Sequence, residues 1–157
     1  MPTVRALRNY TTHVKALTFR LDPTYNSTIK SGAPFKIATT QADASSDILD
    51  VLPAGAGDPV HGIVRPHERI GANADTFSPG DTFQGTLTGP FICPIVAGGT
   101  LAKGDEVYVG TNGAFIKAPS FVQSGATLVQ TAGIVLRAAG SGDGTELYSF
   151  PRTYTTT

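Results

Sequence analysis

Apolar and polar residues alternate over short stretches in this chain, and long runs with a helical period are absent. Residues 13–21 (HVKALTFRL) place Leu17, Phe19 and Leu21 on one parity with Thr18 and Arg20 between them, which predicts a half-buried strand ended by Asp22-Pro23. Ser31-Gly32-Ala33-Pro34 reads as a turn before a short strand at Phe35-Lys36-Ile37-Ala38. Residues 42–52 fit either a short helix capped by Ser45 or Ser46, or a strand through Ile48, Leu49, Val51 and Leu52; the strand is preferred. A strand at residues 61–65 stops at Pro66, residues 66–80 read as a loop insertion, and alternation resumes at residues 81–87. Cys93-Pro94 interrupts an apolar stretch and demotes it to an edge strand or irregular segment, because proline cannot donate to a central ladder. Further strands are expected at residues 106–110, 114–118, 127–138 and 145–150. Thr111-Asn112-Gly113 between the first two of these is a hairpin signal.

Some eight to ten short strands joined by glycine-rich turns predict an all-β fold, a short-stranded barrel or sandwich with an extended N-terminal arm and little helix. The expected organisation is an arm at residues 1–13, a β-rich body at 14–150 and a polar tail at 151–157. Composition agrees: 157 residues hold 18 Gly, 11 Pro and 21 Thr, too many turn-makers and too few helix formers for a helical bundle. There is also an internal echo. A Gly-Ile-Val strand followed by arginine occurs at Gly62-Ile63-Val64-Arg65 and, with one leucine interposed, at Gly133-Ile134-Val135-Leu136-Arg137. A Gly-Asp turn opens a strand at Gly80-Asp81 and at Gly104-Asp105.

Twelve basic and twelve acidic side chains cancel, which excludes the strongly basic footprint of a dedicated nucleic-acid binder. The total hides an asymmetry. Residues 1–41 carry Arg5, Arg8, Lys15, Arg20, Lys30 and Lys36 against Asp22 alone, a balance of +5, and the remainder carries −5. From charge alone the arm reads either as a solvated, frayed terminus or as a segment able to dock on an acidic neighbouring surface. Cys93, the single cysteine, cannot form an internal disulfide, and no apolar run reaches membrane-spanning length. A soluble product made in a cytoplasm is expected, with no membrane partner.

Candidate chemistry is sparse. Gly99-Thr100-Leu101-Ala102-Lys103-Gly104 has the glycine spacing of a phosphate loop, but Asp105 and Glu106 follow where Lys and Ser or Thr are required. His67-Glu68-Arg69-Ile70-Gly71 lacks the second histidine of a zinc-protease helix, and His61 with His67 has no third ligand nearby. Cys93 between Ile92 and Pro94 reads as packing rather than a nucleophile. Asp143 between Gly142 and Gly144 reads as a turn, without the further acidic positions of a calcium loop. No catalytic residue, metal site or cofactor is expected.

The second half carries a more specific pattern. The run Ala97-Gly98-Gly99-Thr100-Leu101-Ala102-Lys103-Gly104-Asp105-Glu106-Val107-Tyr108-Val109 leads to Asn112-Gly113-Ala114-Phe115. Ala132-Gly133-Ile134-Val135-Leu136-Arg137-Ala138-Ala139-Gly140-Ser141-Gly142-Asp143-Gly144-Thr145 follows. Over residues 14–150, and most closely over 97–150, the chain resembles the head decoration (cement) proteins of tailed bacteriophages. The resemblance implies a non-enzymatic virion protein with a β-barrel-like body on the outer capsid surface. It implies the major capsid protein as partner, a homotrimer near three-fold positions, and stabilisation of the expanded head against DNA pressure. It also implies an arm reaching onto neighbouring subunits. Charge and position, rather than any family motif, single out Arg5, Arg8, Tyr10 and Arg20 for that contact. The alternative is a carbohydrate- or ligand-binding β-module of a tail or spike, for which no Trp is present. A lipoyl-type carrier domain is suggested by the Lys103–Val109 hairpin, but Asn112-Gly113 stands at the tip where a modifiable lysine belongs.

Overall fold

A computed structural model of the chain describes residues 16–66, 74–87, 92–110, 113–118 and 127–156. Twelve strands and no helix occur among them: β1 Ala16–Leu21, β2 Ile29–Lys30, β3 Pro34–Ile37, β4 Leu49–Pro53, β5 Gly62–Val64, β6 Thr76–Phe77, β7 Thr82–Leu87, β8 Ile92–Val96, β9 Glu106–Val109, β10 Phe115–Lys117, β11 Thr127–Val135 and β12 Gly144–Thr156. The all-β expectation holds, with a closed barrel among the sheets. The first half closes into a five-stranded barrel, β1-β4-β3-β5-β7, and the second half forms a five-stranded sheet, β10-β9-β11-β12-β8, whose edges meet where Ala97, just after β8, bridges Phe115 of β10. β2 and β6 pair separately.

The barrel is narrow, and its interior is filled by Phe19, Leu21, Phe35, Val51, Val64 and Phe83. The Phe19 and Phe35 ring centroids lie 4.7 Å apart, with Phe83 edge-on to Phe35 at 5.9 Å. Three rings fit because the wall beside them has no side chain. A Cβ on Gly62 would fall 2.4 Å from Cζ of Phe35, and one on Gly85 would fall 2.5 Å from Cδ2 of Phe19. β1 and β4 pair in parallel, while the other barrel pairs are antiparallel.

A second core lies between barrel and sheet. Ile95, Val107, Val109, Phe115, Val135 and Leu147 from the sheet side meet Ala54, Val60 and Ile63 from the barrel side. Alternation along β5 explains the join: Gly62 and Val64 face the barrel interior, and Ile63 faces the second core, so all three residues are buried. The backbone N–H of Val96 also donates to the carbonyl of Gly32 at 3.3 Å, tying the end of β8 to the turn before β3.

The Gly-Asp turn extends beyond the two copies of the echo to all four Gly-Asp pairs of the sequence. In residues 55–58, 78–81, 102–105 and 140–143 the Asp N–H bonds back to the first carbonyl at 2.9–3.1 Å. In the first three, the Asp carboxylate also accepts the first residue's N–H at 2.7–2.8 Å. The third position needs a left-handed backbone, as at Gly104 with φ of 90°. In both echoed pairs the Gly-Ile-Val strand is an antiparallel neighbour of the strand that the Gly-Asp turn opens, β5 with β7 and β11 with β9.

Several expectations shift in detail. β4 begins only at Leu49, because the side chains of Asp43 and Ser46 hold turns at 43–48. The expected loop insertion contains β6, whose Phe77 packs against Phe83 at 5.2 Å between centroids; residues 67–73 lie outside the described residues. β8 is an edge strand, as Pro94 predicts. β12 runs through Pro151 to Thr156, paired with Thr127–Thr131, so residues expected as a polar tail extend the sheet as a two-stranded ribbon.

Candidate functional site

Of the four residues singled out for an intermolecular contact, Arg5, Arg8 and Tyr10 lie outside the described residues. Arg20 is on β1, where the register sets it opposite Asp50 of β4. Its Nε donates to Oδ1 of Asp50 at 2.6 Å and an Nη to Oδ2 at 3.2 Å. The Asp50 side chain is 0% exposed and that of Arg20 is 22% exposed. Asp50 also accepts the N–H of Ala42 at 2.7 Å, and Gln41 clasps the Asp50 backbone from both sides. The Arg20 guanidinium holds the Asp50 carboxyl below its ordinary range, opposed by burial and assisted by the Ala42 N–H. Arg20 is therefore a structural clamp on the parallel β1–β4 pair, at the strand that residues 1–15 lead into.

Three further carboxylates are held low in the same way. Lys36, 2.7 Å away, and then the Gly55 N–H depress Asp58. The Ala102 N–H and then Lys117 depress Asp105. Arg152 depresses Glu106 on the outer face of the sheet, and Thr131 also donates to Glu106.

Among the described residues, four large apolar side chains that the alternation did not foretell are exposed, in two groups. Leu17 is 50% exposed and Leu49 39%; both belong to the inward parity of β1 and β4, Leu49 opposite Phe19 at the start of β4 and Leu17 two residues before Phe19. Expecting Leu17 to be buried with Phe19 and Leu21 is thus corrected: β7 still pairs with β1 at Leu17, but β4 begins only opposite Phe19 and leaves Leu17 without a strand on that side. Ile134 is 38% exposed and Tyr148 37%; they are register partners on the outer face of the five-stranded sheet. A groove of about 550 Å³ runs along the seam between barrel and sheet, lined by Tyr25, Ile29, Pro34, Ala54, Val96 and Ala114 among others.

The candidate chemical residues are dispersed. Nδ1 of His61 accepts the N–H of Ile37 at 3.0 Å, and His13 and His67 lie outside the described residues. Gly104 and Asp105 belong to a turn rather than a phosphate cradle, and Asp143 closes another. Cys93 is opposite Leu147 in the edge strand. Among the described residues no three His, Cys, Asp or Glu side chains gather as a metal site.

What the chain offers at its surface is two small groups of exposed apolar side chains and a groove along the seam. In fold it is similar to the head fiber gp8.5 N base of bacteriophage phi29, with a TM-score of 0.60 at 14% identity, over 92% of this chain and 99% of that one. No curated protein matches it in sequence. A family model described as phage cement protein matches residues 16–149, nearly the span over which the sequence resemblance was read. The chain belongs to the phage cement protein family, and its role is that of a capsid-associated structural protein.

Proposed function

We propose that this chain binds the outer surface of a phage head as a homotrimer, without catalytic activity, and stabilises the expanded shell against internal DNA pressure. The partner is the major capsid protein, met on the assembled particle after synthesis in the host cytoplasm. The family match over residues 16–149 is the observation that carries this reading. The physical task suits the fold. A protein that binds the expanded shell and not its precursor shifts the equilibrium towards expansion by mass action. Many interfaces of ordinary size, about 1,200–2,000 Å² each, are enough for that without bond chemistry.

The contact is assigned to the basic N-terminal residues, with Arg5, Arg8 and Tyr10 as its side chains. Arg20, whose guanidinium Asp50 already holds, supports it from the barrel as the anchor of the strand that follows. The exposed Leu17 and Leu49 lie at that end of the barrel and extend the same surface. Deleting residues 1–12 should leave the body folded, with an unchanged melting profile, and abolish coating of purified expanded heads in a sedimentation assay. Undiminished coating would overturn the arm's role.

A further inference from the structure

We infer that the groove along the seam between barrel and sheet is a binding site for an extended, acidic peptide segment of a partner protein. The segment lies against the open edge of β2 and sets a carboxylate on Lys30. This contact is separate from the one assigned to the basic N-terminal residues, and it takes a ligand of the opposite charge.

The groove encloses about 550 Å³, a volume within the range of clefts that hold a small ligand or a few residues of extended chain. Its lining is largely apolar: Ile29, Pro34 and Ala54 are buried, and Tyr25, Val96 and Ala114 are half-buried. β2 borders it and has a strand on one side alone, β6. Ile29 stands opposite Phe77 and Lys30 opposite Thr76, and the ladder continues at Ser31, whose N–H donates to the Asp75 carbonyl at 2.9 Å. Along such a ladder, residues bonded to the partner strand alternate with residues whose backbone groups point away from it. Lys30 is of the second kind. Its carbonyl accepts the Ala33 N–H at 3.1 Å, while its own N–H meets no acceptor among the described residues. An open donor on a strand edge is what an added extended chain pairs with.

The sign of the occupant follows from the side chains. Lys30 is exposed, is the single charged residue that lines the groove, and has no carboxylate partner among the described residues. The acidic residues closest to the lining, Asp22, Asp58, Asp75 and Asp143, are not part of it. The Asp22 carboxylate is bonded to Thr24, and that of Asp58 to Lys36 and the Gly55 N–H. A segment carrying Asp or Glu supplies the missing charge. The chain's own N-terminal residues, which bear the sign of Lys30, do not.

The test is an NMR titration of the full-length protein without heads, so that its failure is separable from failure of the shell-binding role. The probe is a capped peptide, Thr-Val-Asp-Val-Thr, with Thr-Val-Lys-Val-Thr and sodium acetate as controls. The aspartate peptide should shift the amides of Tyr25, Lys30, Val96 and Ala114 and slow exchange of the Lys30 N–H, and neither control should. Lys30→Glu should weaken the aspartate peptide roughly fivefold, as an exposed ion pair is lost and then reversed, and should let the lysine peptide bind. Lys30→Gln should give part of the loss, and Lys103→Glu, in the 102–105 turn, should change nothing. No binding at millimolar concentration, shifts confined to other surfaces, or equal affinity for the two peptides would overturn the inference. So would acetate alone reproducing the shifts, since the edge of β2 would then have no part in recognition.

Discussion

Glycine serves two different physical purposes in this protein, and substitution separates them. At Gly62 the backbone must pass within touching distance of the Phe35 ring, so a methyl group has nowhere to go. Gly62→Ala overpacks the barrel and should cost about 1–3 kcal/mol. At Gly104 an added Cβ meets nothing within 4 Å, but φ is 90°. Gly104→Ala should therefore cost about 1–2 kcal/mol through backbone strain alone. Chemical denaturation reads both losses. The rescue experiment distinguishes them: Phe35→Leu should recover part of the Gly62→Ala loss and none of the Gly104→Ala loss. The glycine positions are visible in the sequence, but only the Gly-Asp context at Gly104 marks its purpose. Nothing near Gly62 announces a ring from β3, because that contact is made by barrel closure.

Among elements, β5 is the most deeply held, with three residues buried between two cores and its edges bonded to β3 and β7. β2 and β6 are two residues each, paired only to one another. Hydrogen exchange should therefore find the Val64 amide, bonded to the Ala33 carbonyl at 2.9 Å, among the last to exchange, at the rate of global unfolding. Amides of the β2–β6 pair should exchange by local opening, at least tenfold faster. Equal protection in the two places would refute this ordering. Strand existence was well signalled by alternation and turns, down to the edge position forced by Pro94. The extension of β12 past Pro151 was not, because its polar residues pair with Thr127–Thr131 across a distance no local pattern encodes.

Over the whole molecule, acid stability follows from carboxylates whose folded pKa values lie below their unfolded ones: Asp50, Asp58, Asp105 and Glu106. A depressed carboxylate stabilises fully above its unfolded pKa, near 4, and the contribution disappears as pH falls through the folded value. As far as these groups decide it, the melting temperature should be level between about pH 5 and 8 and drop below about pH 4. Asp50→Asn, at the most enclosed of the four, should lower the melting temperature at pH 7 and make the acid decline shallower. A decline parallel to wild type would exclude Asp50 as a source. At the same scale, basic residues gather at the N-terminal end of the sequence, while Ile134 and Tyr148 are exposed on the sheet of the second half.

The all-β class, most strands, the Gly-Asp turns and the family were legible before folding, since all of these are written in local periodicity, in turn chemistry and in the order of motifs along 97–150. Long-range pairing was needed to close the first half into a barrel, to bring the edges of the second half's sheet together at Ala97 and Phe115, to bind Arg20 to Asp50, and to leave Leu17, Ile134 and Tyr148 exposed. Those outcomes depend on which strands become neighbours and where a barrel ends. Alternation assigns a side chain to one of two faces, and only the packing of distant segments determines which face is covered.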